Sequence, residues 1–413
     1  MDNILLIKQQ TQVVIIGAGP SGSIAAALLQ QKEIDVIVIE KSLFPRFSIG
    51  ESLLPACMEV VKKANMLKAV QDAKFQFKNG AAFHYAGRRS EFDFTKKFSQ
   101  GSGTTYQVQR GMFDKVLADE AQQQGVELRY QHELLDINLD NKPLLTVLDE
   151  QQQRYQIEAD FVLDASGFAR VLPRLLSLEE PSTLPPRKAL FTHVTDHVSK
   201  DAHFDRDKIL ISIHPGNHEV WYWLIPFSNG TCSVGVVAKE DFLEAYPKDN
   251  KLALQQLINE EAGLKDILKN ASFETPIGEI LGYSANVSTL ATDKFALLGN
   301  AGEFLDPVFS SGVTIAMKSA EIATDLLIKK YSGVQVDWQK EYAQPLMVGV
   351  DTFRCYVEGW YSGEFQEVVL HETPNKKVKE MICSILAGYA WDTSNPFVRE
   401  PQRRLQTVFE LCQ

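Results

Sequence analysis

Four groups of residues in this chain have types and spacings suited to chemistry. Gly17-Ala18-Gly19-Pro20-Ser21-Gly22 is a Gly-x-Gly-x-x-Gly run. Gly17 allows a tight turn, Gly19 lets backbone approach a pyrophosphate, and Gly22 lets a helix pack closely on a strand. Pro20 and Ser21 open that helix, whose positive end faces phosphate charge. Glu40 and Lys41 close the next strand, where a carboxylate can accept hydrogen bonds from a ribose. Lys78, in Phe75-Gln76-Phe77-Lys78-Asn79-Gly80, is an amine in apolar company, and desolvation lowers a lysine's pKa. A solvated side chain reaching out from a strand is the alternative. Trp221, Trp223 and Ile225 alternate, so in a strand they share one face and form a rigid wall that excludes water. An aromatic core strand is the alternative there. Ser311 and Gly312 put backbone amides at a helix start, where a small anion can sit; Ser310 or Ser311 would otherwise act as a plain cap.

Such residues need rigid elements to hold them. Gln12–Ile16 and Asp35–Ile39 are apolar runs of strand length, and Ser23–Gln31 between them is rich in Ala and Leu, which predicts a βαβ unit with parallel strands. Helical spacing follows from Met112 to Gln124, then strands at Val126–Arg129 and Phe161–Leu163. From about Leu190 to Val237, short alternating runs broken by turn residues predict an antiparallel sheet. Phe295–Leu298 returns to a buried strand, Val313–Lys330 reads as a long helix, and the last eighty or so residues read as mostly helical.

The 413 residues suffice for two or three domains, and 45 % hydrophobic with 23 % charged is ordinary globular composition. A net charge of −11 disfavours nucleic acid, which needs a basic stripe. Apolar runs are too short to span a bilayer, and the first ten residues lack a basic region and cleavage site, so no signal peptide is expected. The five cysteines lie far apart and the histidines show no metal spacing; His193 and His197 are expected to be structural. A cytoplasmic protein without a metal is the expectation.

Three further segments resemble those of FAD enzymes of the hydroxybenzoate-hydroxylase fold. Arg110-Gly111-Met112-Phe113-Asp114 with Leu117 resembles their Arg-x-x-Phe-Asp-x-x-Leu segment, Asp164-Ala165-Ser166-Gly167 their second, and Gly299-Asn300-Ala301-Gly302 with Asp306, Pro307 and Gly312 their third. The resemblance implies FAD, held by these residues together with Val313, the glycine run and Glu40–Lys41. Asn300 replaces the aspartate of many relatives, and an amide still serves the ribitol. Gly50-Glu51-Ser52-Leu53-Leu54-Pro55 also resembles the family; there Arg46 and Ser52 would face the cofactor, with a helix start capped by Ser52 as the alternative. The implied architecture is α/β: a Rossmann-type FAD-binding domain (1–80, 106–185, 276–335), an antiparallel β-sheet substrate domain (81–105, 186–275) and a helical C-terminal region (336–413).

Within that fold, Trp221-x-Trp223-x-Ile225-Pro226 resembles the signature of the flavin-dependent halogenases; the related geranylgeranyl reductases carry Tyr-x-Trp-x-Phe-Pro. Lys78 lies in a setting similar to their essential lysine, with Lys74 a weaker second candidate. Asp306-Pro-x-x-Ser310-Ser311-Gly312 resembles the segment of halogenases acting on phenols and pyrroles, which implies halide at Ser311 and Gly312. Phe309 stands where tryptophan halogenases have glutamate, which argues for activated rings. The resemblance implies that reduced FAD from a separate flavin reductase, oxygen and halide give hypohalous acid. Lys78 would relay it to an electron-rich aromatic, free or tethered to a carrier protein, before the wall of Trp221 and Trp223. No second glycine run suggests a nicotinamide domain. An FAD monooxygenase, a reductase of the isoprenoid type and a non-catalytic flavin-binding protein remain alternatives.

Overall fold

A computed structural model of the chain describes residues 8–198, 204–372 and 375–412. Most of the N-terminal segment weighed for a signal peptide lies outside them. The first sheet runs in the order Glu127–Tyr130, Val36–Glu40, Lys8–Ile16, Arg154–Asp164, Leu144–Leu148, Glu133–Asn138, with Phe295–Leu297 also paired to Arg154–Asp164. Its central pairs are parallel, as the βαβ pattern requires. The Pro20–Gln30 and Ser311–Tyr331 helices cover one face. The strand expected at Phe161–Leu163 is far longer, Arg154–Asp164. Its first half alternates buried and half-exposed residues and pairs antiparallel with Leu144–Leu148, so only the buried end reads as an apolar run.

The second sheet runs Gly278–Leu281, Lys188–Thr195, Thr231–Ala238, Asn217–Pro226, Lys208–His214, Gly80–Tyr85, Arg88–Asp93. It is antiparallel except where Lys208–His214 meets Gly80–Tyr85. Alternation along Asn217–Pro226 divides the side chains cleanly. Trp221, Trp223 and Ile225 join the large core shared with the first sheet. Tyr222 and Leu224 join a separate core under the helices Asn250–Glu260 and Ala262–Ile267. The function-bearing face thus looks towards the glycine-rich layer while the other is sealed by helices.

A two-stranded ribbon, Gln76–Lys78 with Thr105–Gln107, bridges the layers. The helices Gln344–Tyr361, Glu364–Leu370, Lys376–Leu386 and Pro401–Cys412 close the molecule. Trp360 and Phe397, two of the aromatics in this region, are buried there. Among the described residues no helix is long and apolar enough to cross a membrane.

Candidate active site

A cavity of about 600 Å³ lies between the two sheets. It is lined by Gly17, Gly19, Pro20, Ser21, Glu40, Lys41 and Arg46 from the glycine-rich layer, and by Ile209, Trp221, Trp223 and Ile225 from the second sheet, with Pro307, Gly312 and Val313. Gly50, Ser52, Arg110, Gly167 and Asn300 also line it. Sequence-predicted residues from six separate stretches therefore converge on one space.

Gly17 and Gly22 hold the tight turn and the close helix–strand approach. A Cβ on Gly22 would fall 1.9 Å from the Gly17 carbonyl oxygen, and Gly17 itself holds φ +98 against the Ala165 backbone. Glu40 is buried, accepting the Ala18 N–H at 2.9 Å and the Ser42 N–H at 2.8 Å, which fixes the turn while leaving further lone pairs towards the cavity. The Pro20–Gln30 and Ser311–Tyr331 helices both begin at the cavity without a side-chain cap. Their first N–H groups are open to phosphate and ring oxygens. That pair of open helix ends, on one cavity of about 600 Å³, fits FAD.

Several predicted residues brace the site, Asp164 from behind the lining and Arg46 and Arg110 within it. Asp164 does not touch the cavity; its carboxylate accepts the N–H groups of Ser166 at 2.9 Å and Leu172 at 2.7 Å and so holds the lining turn 165–167. Arg110 bonds Asp114 at 2.8 Å and the Ile49 carbonyl at 2.6 Å, fixing the 46–52 segment. Arg46 reaches Asp114 at 3.2 Å from the other side. Gly299 packs against Ala316, where a Cβ would sit 2.7 Å away. Ser311 is buried at the helix start, while Ser310 takes the cap position with φ 56 but no capping hydrogen bond. Ser52 caps no helix either: Pro55 stands at the cap of Ala56–Lys63, and Ser52 bridges to Gln107.

Lys78 lies just behind the lining and is wholly buried, whereas Phe77 beside it is 43 % exposed. The ribbon has turned its aromatic outward and its amine inward. Lys78 Nζ donates to Ser52 Oγ at 2.7 Å and to the Leu53 carbonyl at 2.8 Å, and it stands 5.4 Å from the Phe94 ring centre. Burial pushes its pKa down to about 7, against a smaller opposing pull from Cys57. Lys74, the second candidate, is exposed.

Sequence reasoning missed a buried relay behind the tryptophan wall. Trp221 Nε1 donates to the Tyr361 hydroxyl at 2.9 Å, and Tyr361 donates to Asp306 Oδ2 at 2.8 Å. Tyr283 donates to the same oxygen at 3.0 Å, while Asp306 Oδ1 accepts the Val308 N–H at 3.0 Å. Arg187 stacks 3.4 Å over the Tyr361 ring. Asp306 thus ties the tryptophan strand to the Pro307–Ser310 turn and is not itself part of the cavity lining. Trp223 donates from Nε1 to Ser233 Oγ at 3.0 Å and lies over Gly235, where a Cβ would come within 2.3 Å of the indole. His193 is also more than structural filler: its Nε2 meets Glu51 Oε1 at 2.8 Å, and Glu51 lines the cavity. Burial opposes protonation of His193, but the hydrogen bond and the charge of Glu51 together outweigh it and raise the pKa. No local sequence signal marks the contacts of Tyr361, Tyr283 and His193, because each joins distant segments.

The FAD binding domain family matches residues 10–339. The 1H-pyrrole-2-carbonyl-[peptidyl-carrier protein] chlorinase of Pseudomonas fluorescens is 31 % identical over 339 residues, covering 77 % of this chain and 75 % of that protein. The chain belongs to the flavin-dependent halogenase family. This halogenase-family protein is an FAD-dependent oxidoreductase, and FAD is its cofactor. Among solved structures, the flavin-dependent brominase Bmp2 is 25 % identical with a TM-score of 0.84, over 98 % of this chain and 100 % of that one. A protein from Cytophaga hutchinsonii described as a flavoprotein/dehydrogenase is 40 % identical with a TM-score of 0.94, over 98 % of this chain and 99 % of that one.

Proposed function

We propose that this halogenase-family enzyme halogenates an electron-rich aromatic of the pyrrole or phenol type, presented on a carrier protein. Reduced FAD, delivered by a separate flavin reductase, supplies hypohalous acid when bound with oxygen and halide. The observation that carries this is Lys78, a wholly buried amine one hydroxyl removed from the FAD cavity. With a pKa of about 7 it is partly neutral at working pH. It can hold hypohalous acid by hydrogen bond, or take the halogen as a haloamine with loss of water. An aromatic carbon then takes the halogen, its proton leaves, and the amine returns. Ser52 joins the lysine to the cavity. Trp221 and Trp223 close the cavity wall and exclude water. Backbone amides at Ser311 and Gly312 favour a halide.

Phe309, buried against Trp360 and Phe365, offers no base where tryptophan halogenases place glutamate. The ring must therefore give up its proton easily, which favours pyrroles and phenols over free tryptophan. The carrier-bound form is suggested by the Pseudomonas chlorinase, whose name specifies a carrier-linked pyrrole.

Mass spectrometry tests this with pyrroles, phenols and indoles, free and carrier-linked, given a flavin reductase, NADH, oxygen and bromide. A bromine isotope doublet that disappears with Lys78→Ala supports the proposal. A second reaction, flavin-linked dehydrogenation, is favoured by the likeness to the Cytophaga flavoprotein/dehydrogenase. NADPH oxidation without an added reductase and without a halogenated product would select it.

A further inference from the structure

One carboxylate of the cavity has no part in the chemistry assigned so far. Glu51 lines the cavity and is only 4 % exposed. Its neighbour Gly50 stands beside the start of the Ser311–Tyr331 helix, since a Cβ there would come within 3.7 Å of Val313 Cγ2. The glycine run and the Pro20–Gln30 helix serve the pyrophosphate, which leaves this second helix start for the flavin ring. Reduction turns that ring from neutral to anionic near neutral pH. The helix start favours the anion, whereas a buried carboxylate beside it opposes it.

Glu51 has a partner that can cancel its charge. His193 Nε2 meets Glu51 Oε1 at 2.8 Å. The histidine shares with Phe191 the cavity-facing side of the Lys188–Thr195 strand. The Phe47 ring lies 5.8 Å and the Phe227 ring 5.2 Å from its own. Glu51 raises the histidine's pKa above the ordinary 6.5, so the proton is held to a higher pH than usual.

The other charges around the pair are already matched. From the first layer, Arg46 and Arg110 share Asp114, at 3.2 Å and 2.8 Å. From the second sheet, Arg206 donates to the Phe227 carbonyl at 2.7 Å and pairs with Asp196 at 2.9 Å. Two more titratable groups stand close to the cavity. Lys78, bonded to the adjacent Ser52, has a pKa of about 7, and His132 on the cavity wall has its pKa lowered by burial.

We propose that Glu51 and His193 decide which oxidation state of FAD the site prefers. Protonated, the pair is neutral and admits the anionic reduced ring. Deprotonated, it is anionic and repels that ring, while the neutral oxidised ring is bound alike by both forms. An enzyme supplied with reduced FAD from outside gains by holding it in preference to the oxidised form. The pair concerns FAD alone, so its role goes beyond the reaction proposed above and does not depend on it.

The midpoint potential of bound against free FAD in the holoenzyme gives the ratio of oxidised to reduced dissociation constants, to be read at about pH 6.5 and about pH 8.5. Wild type is compared with Glu51→Gln, because Lys78, His132 and the flavin's own proton are common to both. Without Glu51, burial leaves His193 largely uncharged, so the variant's pair changes charge little. Between the two pH values the preference for reduced FAD should fall in wild type by at least about threefold more than in the variant. Equal falls overturn the proposal. So does a variant that weakens both oxidation states alike at both pH values, since that marks Glu51 as a brace for segment 46–52. Should Glu51→Gln fail to take up FAD, calorimetry of Lys78→Met at about pH 8, in two buffers of different ionisation heat, decides. Binding reduced FAD should then take up part of a proton that binding oxidised FAD does not. No difference, or a net release, overturns the proposal.

Discussion

Lys78 Nζ and Ser52 Oγ lie 2.7 Å apart, and only the serine lines the FAD cavity. The lysine is therefore separable from cofactor binding. Lys78→Met should bind FAD as wild type does while losing product formation by roughly 10² or more. Flavin absorbance after gel filtration and product mass spectrometry check the two halves.

The same lysine should be visible in stability. Folded Lys78 releases its proton near pH 7, against 10.5 for the ordinary side chain. Between those values the unfolded chain holds the extra proton, so wild-type stability gains from this group as pH rises. Lys78→Met lacks that contribution. Denaturant melts at about pH 7 and about pH 10 should show wild type gaining relative to the variant.

His193 has the opposite sign. Its pKa is raised by Glu51, so its contribution is complete below about pH 6.5 and is lost as pH rises through the folded value. Glu51→Gln should be destabilised at about pH 5.5, with the deficit shrinking by about pH 8.5. Thermal melts at both pH values would measure it.

Tyr361 receives a hydrogen bond from Trp221 and gives one to Asp306. Tyr361→Phe removes both and leaves the buried carboxylate with one phenol fewer. A loss of about 1–3 kcal/mol is expected. Turnover should fall more than FAD affinity, because the Pro307–Ser310 turn and the tryptophan strand lose their common tie. Denaturant unfolding together with flavin titration distinguishes these effects.

Gly22→Ala places a methyl group where only 1.9 Å separates it from the Gly17 oxygen. The helix must move off the strand, and purified protein should carry no FAD. A normal flavin spectrum would contradict the close packing described.

Local pattern revealed much of this molecule. Gly17–Gly22 and its flanking strands follow from spacing, and Trp221, Trp223 and Ile225 face the cavity as strand alternation requires. The inward turn of Lys78 was not legible, since hydrophobicity alone would have buried Phe77 instead. Three tertiary contacts escaped for another reason. Glu51 meets His193 across 142 positions, Trp221 meets Tyr361 across 140, and Arg187 lies over Tyr361. A pattern read within a window of residues contains no term for such neighbours. The motif that suggested Asp306 gave no hint of its contacts to two phenols and its own turn.

Gly235 sits opposite Trp223 on the adjoining strand, and the indole occupies the space a methyl group there would need. How deeply the ring sinks into the sheet, and so how much room remains before it, is decided jointly by two positions. A larger residue at 235 would drive the indole forward and narrow the chamber. A smaller one at 223 would open the chamber and release the constraint on 235. Descendants of this chain that come to accept bulkier rings should therefore change 223 first, and only after that is 235 free to vary.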